Sequence, residues 1–328
     1  MTYFIGIDLG GTKIAGAVYD TDSRQLLVRD TIPTQAHEGP DAVLARIAGH
    51  ACTLAAAAGL EMAAVRGVGI GLPATFDWET GVIDLIPNLP GDWLNKPAGA
   101  ILTQHLGVPA HLINDARAFT LAEATLGAGK GYPSVVGVTL GTGIGGGIVI
   151  NGHLYRGLMG AAGEFGHHTI DMHGLPDGSG NPGGWESLGS GPAIAAMATK
   201  FVAQGATTRM GEMAGFDLNK ITPELIMQAA EAGDAVAQDV LWRGGEYIGV
   251  GLSNILTILA PYCVVIGGGL SRLGRWITDP MIETIRERVR TIPLDKVAIV
   301  QAALGGDAGV YGAAIWAQQY AEGQTGIQ

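Results

Sequence analysis

The chain is nearly without cysteine, has no cluster of basic residues and carries no leader-like start. Only Cys52 and Cys263 occur in 328 residues, and two lone thiols make no disulfide framework of the kind that staples small secreted folds. The formal net charge is −11. A protein that neutralises nucleic-acid phosphates needs a basic face, and none is present. The opening Met1-Thr2-Tyr3-Phe4 lacks the basic region and apolar run of a signal peptide. These absences predict a cytoplasmic protein that binds neither nucleic acid nor membrane. One stretch, Gly249 to Leu270, carries no charge and has about the length of a membrane span. Asn254, Pro261 and Gly267-Gly268-Gly269 interrupt it, so it reads as a buried helix, a turn and a buried strand. No proline- or serine-rich linker divides the chain.

What is present is apolar mass and glycine. With 47% apolar and 15% charged residues, the chain can bury a sizeable core, and its length suits two lobes better than one compact domain. Its 53 glycines follow no Gly-X-Y period, which excludes collagen and points to tight turns and close backbone approaches.

The most informative pattern is an internal repeat. Gly6-Ile7-Asp8-Leu9-Gly10-Gly11-Thr12-Lys13 aligns without a gap on Gly137-Val138-Thr139-Leu140-Gly141-Thr142-Gly143-Ile144. In the same register Gly16 falls on Gly147 and Val18 on Val149. Each copy reads strand, glycine turn, strand, which suggests a duplicated lobe. Helices and strands alternate elsewhere: a helix over 41–60, a strand over 65–70, a helix over 96–104 and a strand over 110–113. Later come a helix opened by Thr222-Pro223-Glu224, a helix over 236–259 and a strand over 263–266. Asp279-Pro280 opens a further helix to about residue 292, and a last one runs from about 307 to 320. The class is α/β with layered sheets.

Two glycine motifs are decoys. Gly141-Thr-Gly143-Ile-Gly145-Gly146 has dinucleotide-fold spacing, but β-branched residues follow where a helix is required, so it is a hairpin. Gly129-Lys130 is no P-loop, because Gly131 and Ala124 stand where Ser or Thr and the first Gly belong. The hairpin loops can present consecutive backbone N–H groups to phosphate oxygens; glycines that merely tighten hairpins remain the alternative. Asp8, ending a strand before the first loop, suits either a hydrated magnesium ion or a turn cap. Asp115 follows the apolar Leu112-Ile113 and sits where α/β sheets put their sites, as a base or as a helix cap. Glu164 and His167, on the turn Gly163-Glu-Phe-Gly-His167-His168, can grip vicinal hydroxyls.

Together these motifs resemble the ROK family of bacterial sugar kinases. The resemblance rests on Asp8-Leu-Gly-Gly-Thr-Lys13, Pro87-Asn-Leu-Pro-Gly91, Asn114-Asp115, Gly141-Thr-Gly-Ile-Gly145 and Gly163-Glu-Phe-Gly-His167. Gly267-Gly-Gly269 and Gly306-Asp-Ala-Gly309 complete it, in the family's order over nearly the whole chain. It implies an α/β, two-lobed actin–hexokinase-like (ribonuclease-H-like) fold with a strand–turn–strand unit duplicated in each lobe. The small lobe would comprise 1–117 plus 306–328 and the large lobe 118–305, with ATP and Mg²⁺ in the interlobe cleft and commonly a homodimer. Asp115 would be the catalytic base. Gly71, Asn88, Asn114, Glu164, His167 and Glu186 would contact the sugar. Asp8, Gly10, Gly11, Thr12 and Lys13 would line the phosphates, with Asp8 meeting Mg²⁺ through water. Gly141, Thr142 and Gly143 would form the second phosphate loop, and Gly267, Gly268 and Gly269 would lie near the adenosine. The reaction implied is ATP-dependent phosphorylation of a hexose, glucose at its 6-hydroxyl foremost. Alternatives are an N-acetylmannosamine, N-acetylglucosamine or other hexose kinase, and behind them a sugar-binding regulator without turnover. The family's repressors carry a DNA-binding domain ahead of this fold; a first strand starting at Tyr3 predicts none here.

Two departures stand out. Where many members carry a C-x-C-G-x-x-G-C-x-E zinc site, this chain has Asp177, Ser179 and Gly184 in place of the cysteines. Only His167 remains of a four-ligand set, so no zinc site is expected; a mixed set of His168, Asp171, His173 and Asp177 is a remote alternative. Gly71-Leu-Pro-Ala74 replaces the common Gly-x-Pro-Gly.

Overall fold

A computed structural model describes residues 1–87, 89–324 and 326–327. The expected sugar contact Asn88 lies outside the described residues. The chain divides into two compact units, one of residues 1–137, 147–163 and 302–328 and the other of residues 138–146 and 164–301.

In the first unit, β1 (Tyr3–Leu9), β2 (Lys13–Asp20) and β3 (Gln25–Pro33) form an antiparallel meander. After α1 (Pro40–Ala57), β4 (Val65–Leu72) joins β1 in parallel. A small ribbon of β5 (Thr75–Phe76) and β6 (Ile83–Leu85) follows, then α2 (Ala98–Leu106). The strand β7 (Ala110–Asn114) lies parallel to β4 and leads into α3 (Asp115–Thr125). The sheet order is β3-β2-β1-β4-β7. A second five-stranded sheet repeats this plan with β8 (Ser134–Leu140), β9 (Ile144–Ile150), β10 (His153–Leu154), β11 (Cys263–Gly267) and β12 (Ala298–Gln301), in the order β10-β9-β8-β11-β12.

The repeat seen in the sequence is therefore a repeat of structure. β1 ends at Leu9 and β8 at Leu140, while β2 starts at Lys13 and β9 at Ile144, which are the aligned positions. The aligned glycines also do the same work. Gly6 and Gly137 each admit a helix against the strand. A Cβ on Gly6 would lie 2.0 Å from the Val310 carbonyl oxygen, and one on Gly137 would lie 2.2 Å from Thr120 Oγ1.

The helices of the second unit are α4 (Glu186–Gly189), α5 (Gly191–Ala203), α6 (Met210–Met213), α7 (Pro223–Glu231), α8 (Ala235–Leu259) and α9 (Arg275–Arg288). Thr222 caps α7 as expected, its hydroxyl accepting from Leu225 N–H at 3.3 Å. The uncharged stretch resolves into the end of α8, buried as far as Leu256 with its last turn exposed, and the buried strand β11. Among the described residues no helix is long and apolar enough to cross a membrane. One expectation needs correction: α9 does not open at Pro280. It starts at Arg275 after Gly274, ends at Arg288, and holds Pro280 in its interior. Packing overrides the proline signal here. The Pro280 ring fits a notch at Gly245 of α8, where a Cβ would stand 2.4 Å from Pro280 Cγ.

The last helix, α10 (Ala308–Ala321), returns to the first unit and packs on β1 and β4. It is seated backbone to backbone. A Cβ on Gly69 of β4 would lie 1.7 Å from the Ala313 oxygen, and one on Gly312 would lie 1.8 Å from the Ala118 oxygen.

Candidate active site

Asp8 sits one residue before the end of β1, and the turn Gly10-Gly11-Thr12 closes when Gly10 N–H donates to Lys13 O at 2.9 Å. Thr34, fully buried, holds this turn from outside. Its N–H donates to Thr12 O at 3.0 Å and its hydroxyl to Gly10 O at 2.7 Å. Arg46 donates in turn to Thr34 O at 2.6 Å. Gly11, Thr12 and Lys13 stay exposed on a fixed turn.

The Asp8 carboxylate is half-buried. Burial first, and the charge of Asp115 second, push its pKa up to about 6 against the pull of Lys13. Its place is made by Gly309 in the first turn of α10, where a Cβ would lie 2.6 Å from Asp8 Oδ2. Gly71 pairs with Asp8 across the sheet and is itself buried.

At the end of β7 the two neighbouring polar residues divide their labour. Asn114 caps α3, its Oδ1 accepting from Ala116 N–H at 3.1 Å and Arg117 N–H at 3.3 Å. Its amide donates to Ala74 O at 3.4 Å. Asp115 follows at the first helical position, exposed, with Oδ1 accepting from Ala116 N–H at 2.8 Å. Of the two readings of Asp115, the capping role thus falls mainly to its neighbour.

In the second unit the turn Gly141-Thr142-Gly143 closes through Gly141 N–H to Gly143 O at 2.9 Å. Glu186 braces it: Oε2 accepts from Ile144 N–H at 2.8 Å, and Gly143 is bare because a Cβ would lie 2.4 Å from that oxygen. Glu186, expected as a sugar contact, thus has one carboxylate oxygen committed to the turn. Beside the turn opens a cavity of about 450 Å³, lined by Gly141, Thr142, Gly191, Thr222, Glu224 and Gly269. The N-terminal turns of α5 and α7 border it, a setting that suits anionic groups. Gly267 ends β11, and Gly268 packs against β8, where a Cβ would stand 2.2 Å from Leu140 O. Of that glycine run only Gly269 lines the cavity.

Glu164 and His167 come together on one turn, with His167 Nε2 3.9 Å from Glu164 Oε2. The other ring nitrogen, Nδ1, is 2.9 Å from Asp177 Oδ2. Burial would lower the His167 pKa, but the hydrogen bond to Asp177 and the charges of Asp177, Glu186 and Glu164 leave it raised. The mixed metal set does not assemble: His168 Nδ1 faces Phe165 O, and Asp171 Oδ1 accepts from His173 N–H at 3.0 Å. Among the described residues no group of three His, Cys, Asp or Glu side chains converges as a metal site.

Some residues escaped the sequence. Thr34 and Arg46 carry no local signal. Glu123 is fully buried in α3 and accepts from Ala128, Ala303 and Leu304 N–H at 2.8–3.1 Å, tying down the approach to α10. A carboxylate set among Leu121, Ala122 and Ala124 was its only trace.

Comparison with known proteins agrees with this picture. The ROK family model matches residues 4–320. A glucokinase of Thermotoga maritima is 33% identical, the match covering 94% of this chain and 95% of that protein. An N-acetyl-D-glucosamine kinase of Salmonella arizonae is 34% identical over 93% and 96%. Among solved structures, a ROK hexokinase from Thermus thermophilus superposes with a TM-score of 0.85 at 32% identity, covering 98% of this chain and 100% of that one. A ROK glucokinase from Streptomyces griseus, in complex with glucose and AMPPNP, gives 0.78 at 33% identity over 97% and 99%. The paired strand–turn–strand units, the Asp8 and Asp115 carboxylates and a match along nearly the full length have one common explanation: the chain belongs to the ROK family.

Proposed function

We propose that this protein transfers the γ-phosphoryl group of ATP to a hexose, with glucose at its 6-hydroxyl the foremost acceptor. The observation that carries the reading is the carboxylate of Asp115. It is exposed at the carboxyl end of β7 and the start of α3, while Asn114 does most of the capping. A group so placed can accept the proton of an attacking hydroxyl as its oxygen bonds to the γ-phosphorus and ADP departs. The Gly10–Lys13 turn and the Gly141–Gly143 turn would hold phosphates mainly through backbone N–H groups, which suits an acidic chain. The cavity beside Gly141 and Gly269 would take the adenosine.

Magnesium fits the first of these places. Asp8 is a partly buried carboxylate whose pKa stands at about 6, so a cation nearby would favour its ionised form, directly or through water. When bound, Mg²⁺ supplies charge neutralisation on the phosphates. Glu164 and His167 would bind sugar hydroxyls, while Glu186 braces the Gly141–Gly143 turn and Asn114 caps α3 within its own unit. A homodimer and a cytoplasmic setting belong to the same reading, the dimer being checked by sedimentation of the purified protein.

The test is coupled ADP release with Mg-ATP on glucose, mannose, fructose, allose, N-acetylglucosamine and N-acetylmannosamine. Glucose should turn over best, and Asp115→Asn should lower kcat/KM by roughly 10³-fold without changing Tm. Silence across the panel would sink the reading. Preference for N-acetylglucosamine would favour the second reading, which the similarity to an N-acetylglucosamine kinase supports.

A further inference from the structure

The zinc that the family pattern implies does not fit the residues found here. Zinc asks for about four nitrogen, sulfur or oxygen ligands in a tetrahedron. This segment offers an imidazole, a carboxylate, a hydroxyl and a glycine. The carboxylate is moreover engaged on both oxygens. Asp177 Oδ1 accepts from Ser179 N–H at 2.9 Å, Ser179 Oγ at 2.6 Å and Asn181 N–H at 3.0 Å. Oδ2 faces His167 Nδ1 at 2.9 Å, and the Asp177 side chain is wholly buried. Gly184, where the third cysteine would stand, is bare for a reason visible in the packing. A Cβ there would lie 2.1 Å from Asp177 Oδ2 and 2.8 Å from its Cγ. The carboxylate fills the space a side chain at 184 would need.

We infer that Asp177 is the positioning residue for His167, a hydrogen-bonded hub standing where the family pattern has a cysteine. The ionised carboxylate accepts a hydrogen bond from Nδ1–H, which fixes the ring plane and the tautomer and turns Nε2 towards Glu164. Asn181 completes the clamp by donating to His167 O at 2.6 Å, so backbone and side chain of His167 are both held from one loop. Ser179 and Gly184 are parts of the same device: one supplies two donors to the hub, the other supplies room. The inference rests on the reading of His167 as a sugar contact only in its consequence for affinity, not in its geometry.

Three measurements on the whole protein test it. Zinc should be far below one equivalent in purified protein, and prior EDTA treatment, followed by dialysis into EDTA-free buffer with Mg²⁺ restored, should change neither Tm nor the KM for glucose. Stoichiometric zinc that stabilises the chain would overturn the inference. In sugar-free protein the ¹⁵N signals of His167, assigned with His167→Gln, should show the Nδ1-protonated tautomer. Asp177→Asn, which keeps the side-chain shape, should shift those signals towards a mixture of tautomers. An unchanged His167 spectrum would overturn it. In kinetics Asp177→Asn should raise the KM for glucose roughly tenfold while kcat falls less; equal losses in kcat with KM unchanged would also count against it. Should Asp177→Asn fail to fold, Ser179→Ala removes the Oγ donor, leaves the backbone N–H in place, and should give the same shifts in weaker form. Absence of turnover on any sugar would strike the kinase reading and leave the spectroscopic and metal tests standing.

Discussion

Two carboxylates, the half-buried Asp8 and the wholly buried Asp177, answer to opposite forces. Burial pushes the Asp8 pKa up to about 6, helped by the charge of Asp115, with Lys13 too weak to offset it. Burial also works against an ionised Asp177, but donors from Ser179, His167 and Asn181 outweigh it and bring that carboxyl down to about 2. A charge that structure needs is surrounded with donors. Asp8, proposed above to face phosphate and Mg²⁺, has the charge of Lys13 in place of such donors. The difference separates scaffold from working group more sharply than residue type does.

That contrast can be broken in a ranked way. Asp177→Ala should cost the most, about 3 kcal/mol, because it leaves several donors buried without an acceptor; urea unfolding would read it. Asp8→Asn should do the reverse and stabilise the protein by up to about 3 kcal/mol at neutral pH, the equivalent of the shift from 3.8 to about 6. The same change should lower kcat by roughly two orders of magnitude, since it removes a charge from the phosphate side. If Asp8→Asn were destabilising at pH 7, Asp8 would belong with the scaffold after all. Ser179→Ala should cost least, about 1 kcal/mol.

The two groups also predict opposite pH slopes. Asp8, with its raised pKa, holds its proton longer in the folded state than in the unfolded chain. Stability should therefore fall as pH rises from about 4 to about 6, and the gain from Asp8→Asn should grow over that window and then level off. Asp177, with its lowered pKa, contributes fully above about 4, and that contribution drains away as pH falls towards 2. Thermal unfolding of wild type, Asp8→Asn and Asp177→Asn across pH 3–8 would separate the two slopes.

How much of this was legible in the chain depended on whether the cause was local. The repeated strand–turn–strand unit could be read because alternation and glycine turns are short-range signals, and the aligned boundaries at Leu9 and Leu140 agree to the residue. The start of α9 could not, because Pro280 is accommodated by Gly245 of another helix, far away in sequence. The sequence offers Asp115 as a base or as the cap of α3 and gives its neighbour Asn114 no capping role; only the hydrogen bonds assign Asn114 as the main cap. Asp177 was noticed as a missing cysteine, but the network that makes it useful joins residues 167, 177, 179, 181 and 184, and pairwise reach of that kind is set by the fold. Thr34 and Glu123 were invisible for the same reason.

The seating of α10 also bears on how the protein is made. Gly6 and Gly69 form a bare backbone surface on β1 and β4, and the helix that covers it, Ala308–Ala321, lies far later in the chain than the last strand of that sheet, Ala110–Asn114. A ribosome delivers residues at about 5–20 per second, so the first sheet, complete at Asn114, waits roughly 10–40 seconds for the helix that ends at Ala321. Until then its central strands show an uncovered face, and the first unit can be completed only once Ala321 has been made. Nascent chains stalled before residue 308 should accordingly be cleaved by protease in 3–72, and chains released after residue 321 should not.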